Sequence, residues 1–375
     1  MFLLRWLRRL IKTILRLIVL VVLIPVVGLA YGFLTTASLD KTPLPGIADG
    51  APPAALASKV RQATQGYQSP PQSTWLAYPR WAAIYAARDY AAFVAKDQPS
   101  GFPYWGAIGH YWQDYAIVIR VTSARGIDIL DYVVPTVIGT GLTIDGALQW
   151  AYENTVGRIT EVIAGKRIAV DIYQAKAAGD YASLVETKPW SDFPYAEKRA
   201  GLFAVQPATG DDSIRTSERK LAFGLADTVK QWCADLSKSL FPAAGGLGPS
   251  DIHIWARGPV GETTRNEPDT LLERDLGPDG TVFITRQASL TEMIPRLIDK
   301  GVSFIEIGGN DEVLVTMTSS AAVTAPEGSR ALFSHAVPVE PDTRRTAFAV
   351  AVRKLHMVLP ALAKAGGKLE RIYTN

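Results

Sequence analysis

This chain of 375 residues has no acidic residue before Asp40, a single cysteine (Cys233), and only four histidines, His110, His253, His335 and His356. One cysteine cannot form an internal disulfide, so the fold must stand on its apolar core. Beside Trp232 in a helical pattern, Cys233 reads as a small packed hydrophobe. No two histidines have metal-ligand spacing, and His335 alternates with Phe333 and Val337 as a core or interface residue does. Also missing are the Gly-x-Ser-x-Gly elbow, His-Glu-x-x-His, paired cysteines and a phosphate loop ending in Gly-Lys-Ser/Thr. Gly139-Thr140-Gly141 begins a dinucleotide fingerprint, but Ile144 stands where the third glycine belongs. No cofactor and no metal are expected.

Five of the 39 basic residues (Arg5, Arg8, Arg9, Lys12 and Arg16) precede an uncharged run from Leu17 to Ser38. Roughly 20 apolar residues cover the ~30 Å hydrocarbon layer, so this run predicts a transmembrane helix over residues 1–39, contacting membrane lipid, with its basic tip cytoplasmic. Trp6, Tyr31 and Phe33 sit where interfacial aromatics belong, and Pro25 predicts a kink. A cleaved signal peptide ending near Gly28-Leu29-Ala30 is the competing reading. The remainder carries 34 basic against 36 acidic groups, and so near-neutral a body argues against a nucleic-acid partner.

Pro43, Pro45, Pro52, Pro53, Pro70 and Pro71 mark residues 40–74 as a Pro-rich tether, with a short helix over 54–64. Residues 75–248 read as a helical domain dense in aromatics, with helices at 79–95, 104–122, one or two up to 165, 167–178 and 213–240. In the last, Leu221, Leu225, Val229, Trp232, Leu236 and Leu240 form a stripe. Gly139, Gly141 and Gly146 suggest close packing or a bend. Gly245-Gly246-Leu247-Gly248-Pro249 marks a boundary, after which the period turns to alternation. Residues 249–375 predict strands at 251–257, 281–286, 302–307, 312–318, 331–339 and 368–373, with helices at 289–300 and 343–365. Ser289-Leu290-Thr291-Glu292 is a capping box and Gly308-Gly309-Asn310-Asp311 a hairpin turn. That order is a ferredoxin-like α/β sandwich, which makes the whole a membrane-anchored α plus α+β protein.

Tyr152-Glu153-Asn154-Thr155-Val156-Gly157-Arg158, followed by Pro189-Trp190 and Phe193, resembles a group of uncharacterised bacterial single-pass membrane-anchored proteins over about residues 75–240. The resemblance implies a bacterial envelope setting, with the N-terminus cytoplasmic, the anchor in the inner membrane and the body periplasmic. It brings no activity.

The polar candidates lie in the helical domain. His110 and Asp114 are one helical turn apart and suit a base and its orienter; Glu153, Asn154 and Arg158 form a second group. The plainer reading is a polar seam that locks helices, since nothing nearby names a nucleophile. Three functions follow. The first is a noncatalytic accessory or assembly subunit of a membrane complex, with a membrane protein or a second copy as partner. The second is a binding module for an apolar small molecule or lipid, and the third a hydrolase using a His110/Asp114/Glu153/Arg158 cleft.

Overall fold

The computed structural model describes residues 2–37, 44, 47, 49–64, 67, 74–123, 129–207, 212–240, 251–265 and 267–373. The glycine-rich boundary at 245–249 and much of the Pro-rich stretch lie outside the described residues. The chain divides into a helical unit, residues 1–37, 79–116 and 133–247, and an α+β unit, residues 38–78, 117–132 and 248–375. Each unit therefore draws on discontinuous stretches of sequence, whereas the sequence suggests consecutive blocks.

Helix α1 spans Phe2–Thr35. Among the described residues no helix is long and apolar enough to cross a membrane. The expected N-terminal transmembrane helix, the inner-membrane location and the single-pass topology are corrected accordingly. One side of the apolar stretch packs inside the protein. Gly28 and Gly32 lie against Trp112, and Tyr31 against Gly109, so the glycines serve close helix approach. Val19 to Leu23, Val26 and Val27 remain exposed.

After a short α2 (Ala54–Ala63), which belongs to the α+β unit, the helical unit continues with α3 (Tyr78–Lys96), α4 (Tyr104–Thr122), α5 (Val133–Glu153), α6 (Val156–Ala164), α7 (Ala169–Thr187), α8 (Tyr195–Ala204) and α9 (Asp212–Leu240). Its interior is aromatic: Trp81, Tyr85, Tyr104, Tyr111 and Trp112 are buried. Gly139 rests against Tyr111, and a Cβ on Gly146 would come within 3.1 Å of Ile108, so both serve close packing; Gly141 faces open space. The tyrosine hydroxyls are bonded too, Tyr111 donating to the Pro135 carbonyl at 2.6 Å. The α9 stripe points outward, with Leu221 74 % and Trp232 65 % exposed, and Cys233 is half-buried and unpaired.

Among the described residues the α+β unit also holds α10 (Val260–Thr263), α11 (Gln287–Asp299), α12 (Leu355–Lys364) and eight strands: β1 (Asp251–Arg257), β2 (Leu271–Asp275), β3 (Thr281–Arg286), β4 (Ser303–Ile307), β5 (Glu312–Ser319), β6 (Ser329–Val337), β7 (Glu340–Ala351) and β8 (Lys368–Tyr373). They form two antiparallel four-stranded sheets, ordered β2-β3-β1-β4 and β6-β7-β5-β8. The ferredoxin-like sandwich, which has a single sheet, is thus corrected. The decisive stretch is Thr343–Ala351. Phe348, Val352, Leu355, Leu359 and Leu362 follow helical steps, yet the first lies in β7, paired with β5 and β6, and a short turn at Val352–Lys354 intervenes before α12. Phe348 and Val350 face the shared core while Ala347 and Ala349 are buried on the other side, so both faces of the strand are covered.

The Gly308-Gly309 turn forms as read, both glycines having positive φ and Ile307 and Asn310 exchanging backbone hydrogen bonds. Its consequence differs from a hairpin's: β4 enters one sheet and β5 the other. One core joins them, with Ile254, Phe283 and Phe304 from the first sheet, Val313, Val315 and Phe348 from the second, and Leu297 and Leu359 from α11 and α12. The capping box goes unused, because α11 begins at Gln287, two residues before Ser289; Thr291 Oγ1 accepts the Ile372 amide at 3.1 Å.

Candidate functional site

The densest polar arrangement in the helical unit is built on the buried face of α9. Arg215 and Arg219 stand one turn apart, so both guanidiniums leave the helix on the same side. Asp171 comes from the first turn of α7, where its Oδ2 also accepts the Ile168 amide, and Glu153 is the last residue of α5. Arg215 Nε donates to both Asp171 oxygens at 2.9 and 3.1 Å, while Nη1 reaches the Gly157 carbonyl at 3.0 Å and Nη2 the Gln98 side chain at 3.1 Å. Arg219 grips Glu153 with two bonds, 2.6 and 2.9 Å. Its Nε lies 3.4 Å from Asp171, and its guanidinium stacks over Tyr152 and Phe223. Gly157 leaves the space: a Cβ there would come within 2.8 Å of Glu153 Oε2.

All four charged side chains are buried, and two positive charges meet two negative ones. Burial works to lower the Arg219 pKa, but the Glu153 hydrogen bonds and charge outweigh it and hold the guanidinium above its ordinary value. Nearby, burial and then the Glu153 charge push Tyr90 far up; Tyr104 is raised by burial first, then by Tyr90 and Glu153. These phenols stay protonated at neutral pH. Bidentate geometry and charge balance make the group a structural lock that ties α5, α6 and α7 to α9.

A second polar group lies on the outer face of the first sheet in the α+β unit. At β4 the register with β1 shifts so that Ile305 is an extra residue, and at β2 Glu273 is extra against β3. Arg61 of α2 donates to both oxygens of Glu306 at 2.9 Å, and Tyr67 gives Glu306 a 2.6 Å hydrogen bond. The Tyr67 ring lies 5.5 Å from that of His253, whose Nε2 is 3.2 Å from Glu273. Burial foremost, then Glu306, raises the Tyr67 pKa far above the phenolic range. Around the group Ala57, Val60, Trp255, Val282 and Ile305 pack together, which fixes α2 to the sheet. Among the described residues no group of three or more His, Cys, Asp or Glu could hold a metal ion.

The sequence candidates are distributed as follows. His110 is half-buried and Asp114 buried on α4. Glu153 is fully committed to Arg219, whereas Arg158 turns to the surface, 58 % exposed, and binds Glu161 at 2.7 Å and Ser100 at 2.9 Å. Asn154 bonds the Trp150 carbonyl of its own helix, so it joins nothing across a seam. Glu153 and Arg158 therefore part, and the buried arginines of the seam are Arg215 and Arg219, which sequence reasoning missed. Their signal was present: the two lie one turn apart on α9, off the line of the Leu221–Leu225–Trp232 stripe. No family model matches the chain, and neither a curated protein nor a solved structure does.

Proposed function

We propose that this protein is a noncatalytic accessory subunit, held in a protein assembly through the apolar exterior of its helical unit. What supports the reading is one observation. Val137 and Leu148 of α5, Val162 of α6 and Leu225 of α9 are each about two-thirds exposed or more, while the buried charges Glu153, Arg215 and Arg219 are paired in the interior. Apolar side chains exposed over so many elements mark an interaction surface. The hydrolase reading loses its support, since both Glu153 oxygens accept from Arg219 and Arg158 faces Glu161. A photo-crosslinking residue placed at Val162 or Leu225 in the source cells tests the proposal. Discrete protein adducts at both positions are expected, with none at Glu292 on the polar side of α11. Equal labelling at all three positions would remove the assembly role.

A further inference from the structure

Helix α9 has two faces of opposite use. Arg215, Arg219 and Ala234 are buried against its own unit, while Leu221, Leu225, Val229, Trp232 and Leu236 are 74, 65, 52, 65 and 42 % exposed. A helix apolar on a face that none of the described residues covers needs another surface to bury it. The order of the residues says which. Counted from the midpoint between Thr228 and Val229, Leu221 and Leu236 are equidistant, and so are Leu225 and Trp232. Val229 sits beside that midpoint.

Building on the assembly role proposed above, we infer that the partner at this face is a second copy of the chain, with the two α9 helices antiparallel across a two-fold axis at Thr228/Val229. Such an interface is isologous, the same patch used twice, and a patch that matches itself when reversed satisfies it. Leu221 then meets Leu236 of the other copy, and each Trp232 meets Leu225. A parallel pair would instead set two indoles at the same level and align the helix dipoles unfavourably. The five residues of the stripe together expose the surface of about three side chains, four of them aliphatic and one the Trp232 indole. That is less than the ~800 Å² per partner of a standard interface and suits a small, reversible one.

Sedimentation equilibrium of the full-length chain tests the partner, and cysteine pairing tests the register. The wild type should be dimeric at micromolar concentration, and Leu225→Asp combined with Trp232→Asp should weaken association at least about tenfold while circular dichroism stays unchanged. In a Cys233→Ser background, oxidation should link Val229→Cys to itself. Leu221→Cys alone should stay unlinked, and Leu221→Cys with Leu236→Cys should link. A chain monomeric up to about 100 μM overturns the inference, as does self-linking of Leu221→Cys alone, which reports a parallel pair. Photo-adducts at Leu225 that carry a different protein, or lipid, overturn it as well. A different-protein adduct leaves the assembly role standing, so the two failures are distinguishable.

Discussion

The helical unit and the α+β unit dispose of charge and apolar surface in opposite ways. Of the large apolar residues left exposed among the described residues, 28 lie in the helical unit, and only Ile129, Leu271, Leu272 and Met357 in the α+β unit. Buried charge runs the same way: Asp114, Glu153, Asp171, Asp212, Arg215 and Arg219 in the first, Glu306 and Glu312 in the second. The α+β unit closes its main apolar core between two sheets and two helices and keeps most of its charge outside it. The helical unit spends its interior on aromatics and paired charges and turns aliphatic side chains outward. By the usual balance of burial it is incomplete alone, which is why its exterior, and not its polar interior, carries the functional proposal.

The strongest way to break this contrast is to unpair the interior of the helical unit. Arg219→Ala leaves Glu153 buried without its two hydrogen bonds and is expected to cost about 3–5 kcal/mol in urea denaturation, with loss of α9 protection in hydrogen exchange. Replacing Arg219 and Glu153 together by methionines should recover most of that loss, because no unpaired charge then remains. A single mutant as stable as wild type would show the lock to be open to water. In the α+β unit the matching experiment is Phe348→Ala, which empties the centre of the shared core and is expected to cost about 3–4 kcal/mol. A loss under 1 kcal/mol would mean that the two sheets do not share a core there.

Legibility in the sequence followed the same division. Where one pattern serves one environment, bounds were readable to the residue: α4 at Tyr104–Thr122, β1 at Asp251–Arg257, β3 at Thr281–Arg286 and β8 at Lys368–Tyr373. Strand β2 was missed because Leu271-Leu272-Glu273-Arg274-Asp275 has no alternation and its apolar pair is exposed. Strand β7 was absorbed into a helix because its last residues continue the step of α12. The apolar run in α1 suggested a membrane span, since hydropathy alone does not register that Gly28 and Gly32 pack on Trp112. In the candidate site Glu153 was legible as a polar residue worth naming, but its partner Arg219 lies 66 residues away, and no local spacing encodes that pairing.

A smaller effect comes from Asp227, on the inward side of α9. Burial raises its pKa to about 6, against 3.8 ordinarily, although Lys230 and Arg199 pull the other way. The folded chain therefore holds this proton where the unfolded chain has lost it. Its contribution to stability is complete below about pH 4 and disappears as the pH rises through about 6, a loss of about 1–2 kcal/mol once the half-exposed setting is discounted. Asp227→Asn should flatten the fall in melting temperature between pH 4 and 6 relative to wild type. An identical slope in both proteins would place the raised pKa elsewhere.

The smallest expected effect sharpens the comparison inside the helical unit itself, between two arginines that differ in setting. Arg158 makes two good hydrogen bonds, to Glu161 and Ser100, and Ser100 in turn donates to Glu161 at 2.6 Å, so by distance alone it matches Arg219. Its side chain is 58 % exposed, however, and the pair with Glu161 spans only one helical turn. Water replaces the lost bonds when Arg158 is removed, and the Glu161 carboxylate keeps Ser100 as a donor. Arg158→Ala should therefore cost no more than about 0.5–1 kcal/mol, several-fold less than Arg219→Ala. Burial, and not hydrogen-bond length, then sets the difference between the two. A loss at Arg158 above about 2 kcal/mol, measured in the same urea series, would put the tie from α6 to Ser100 on a par with the buried lock.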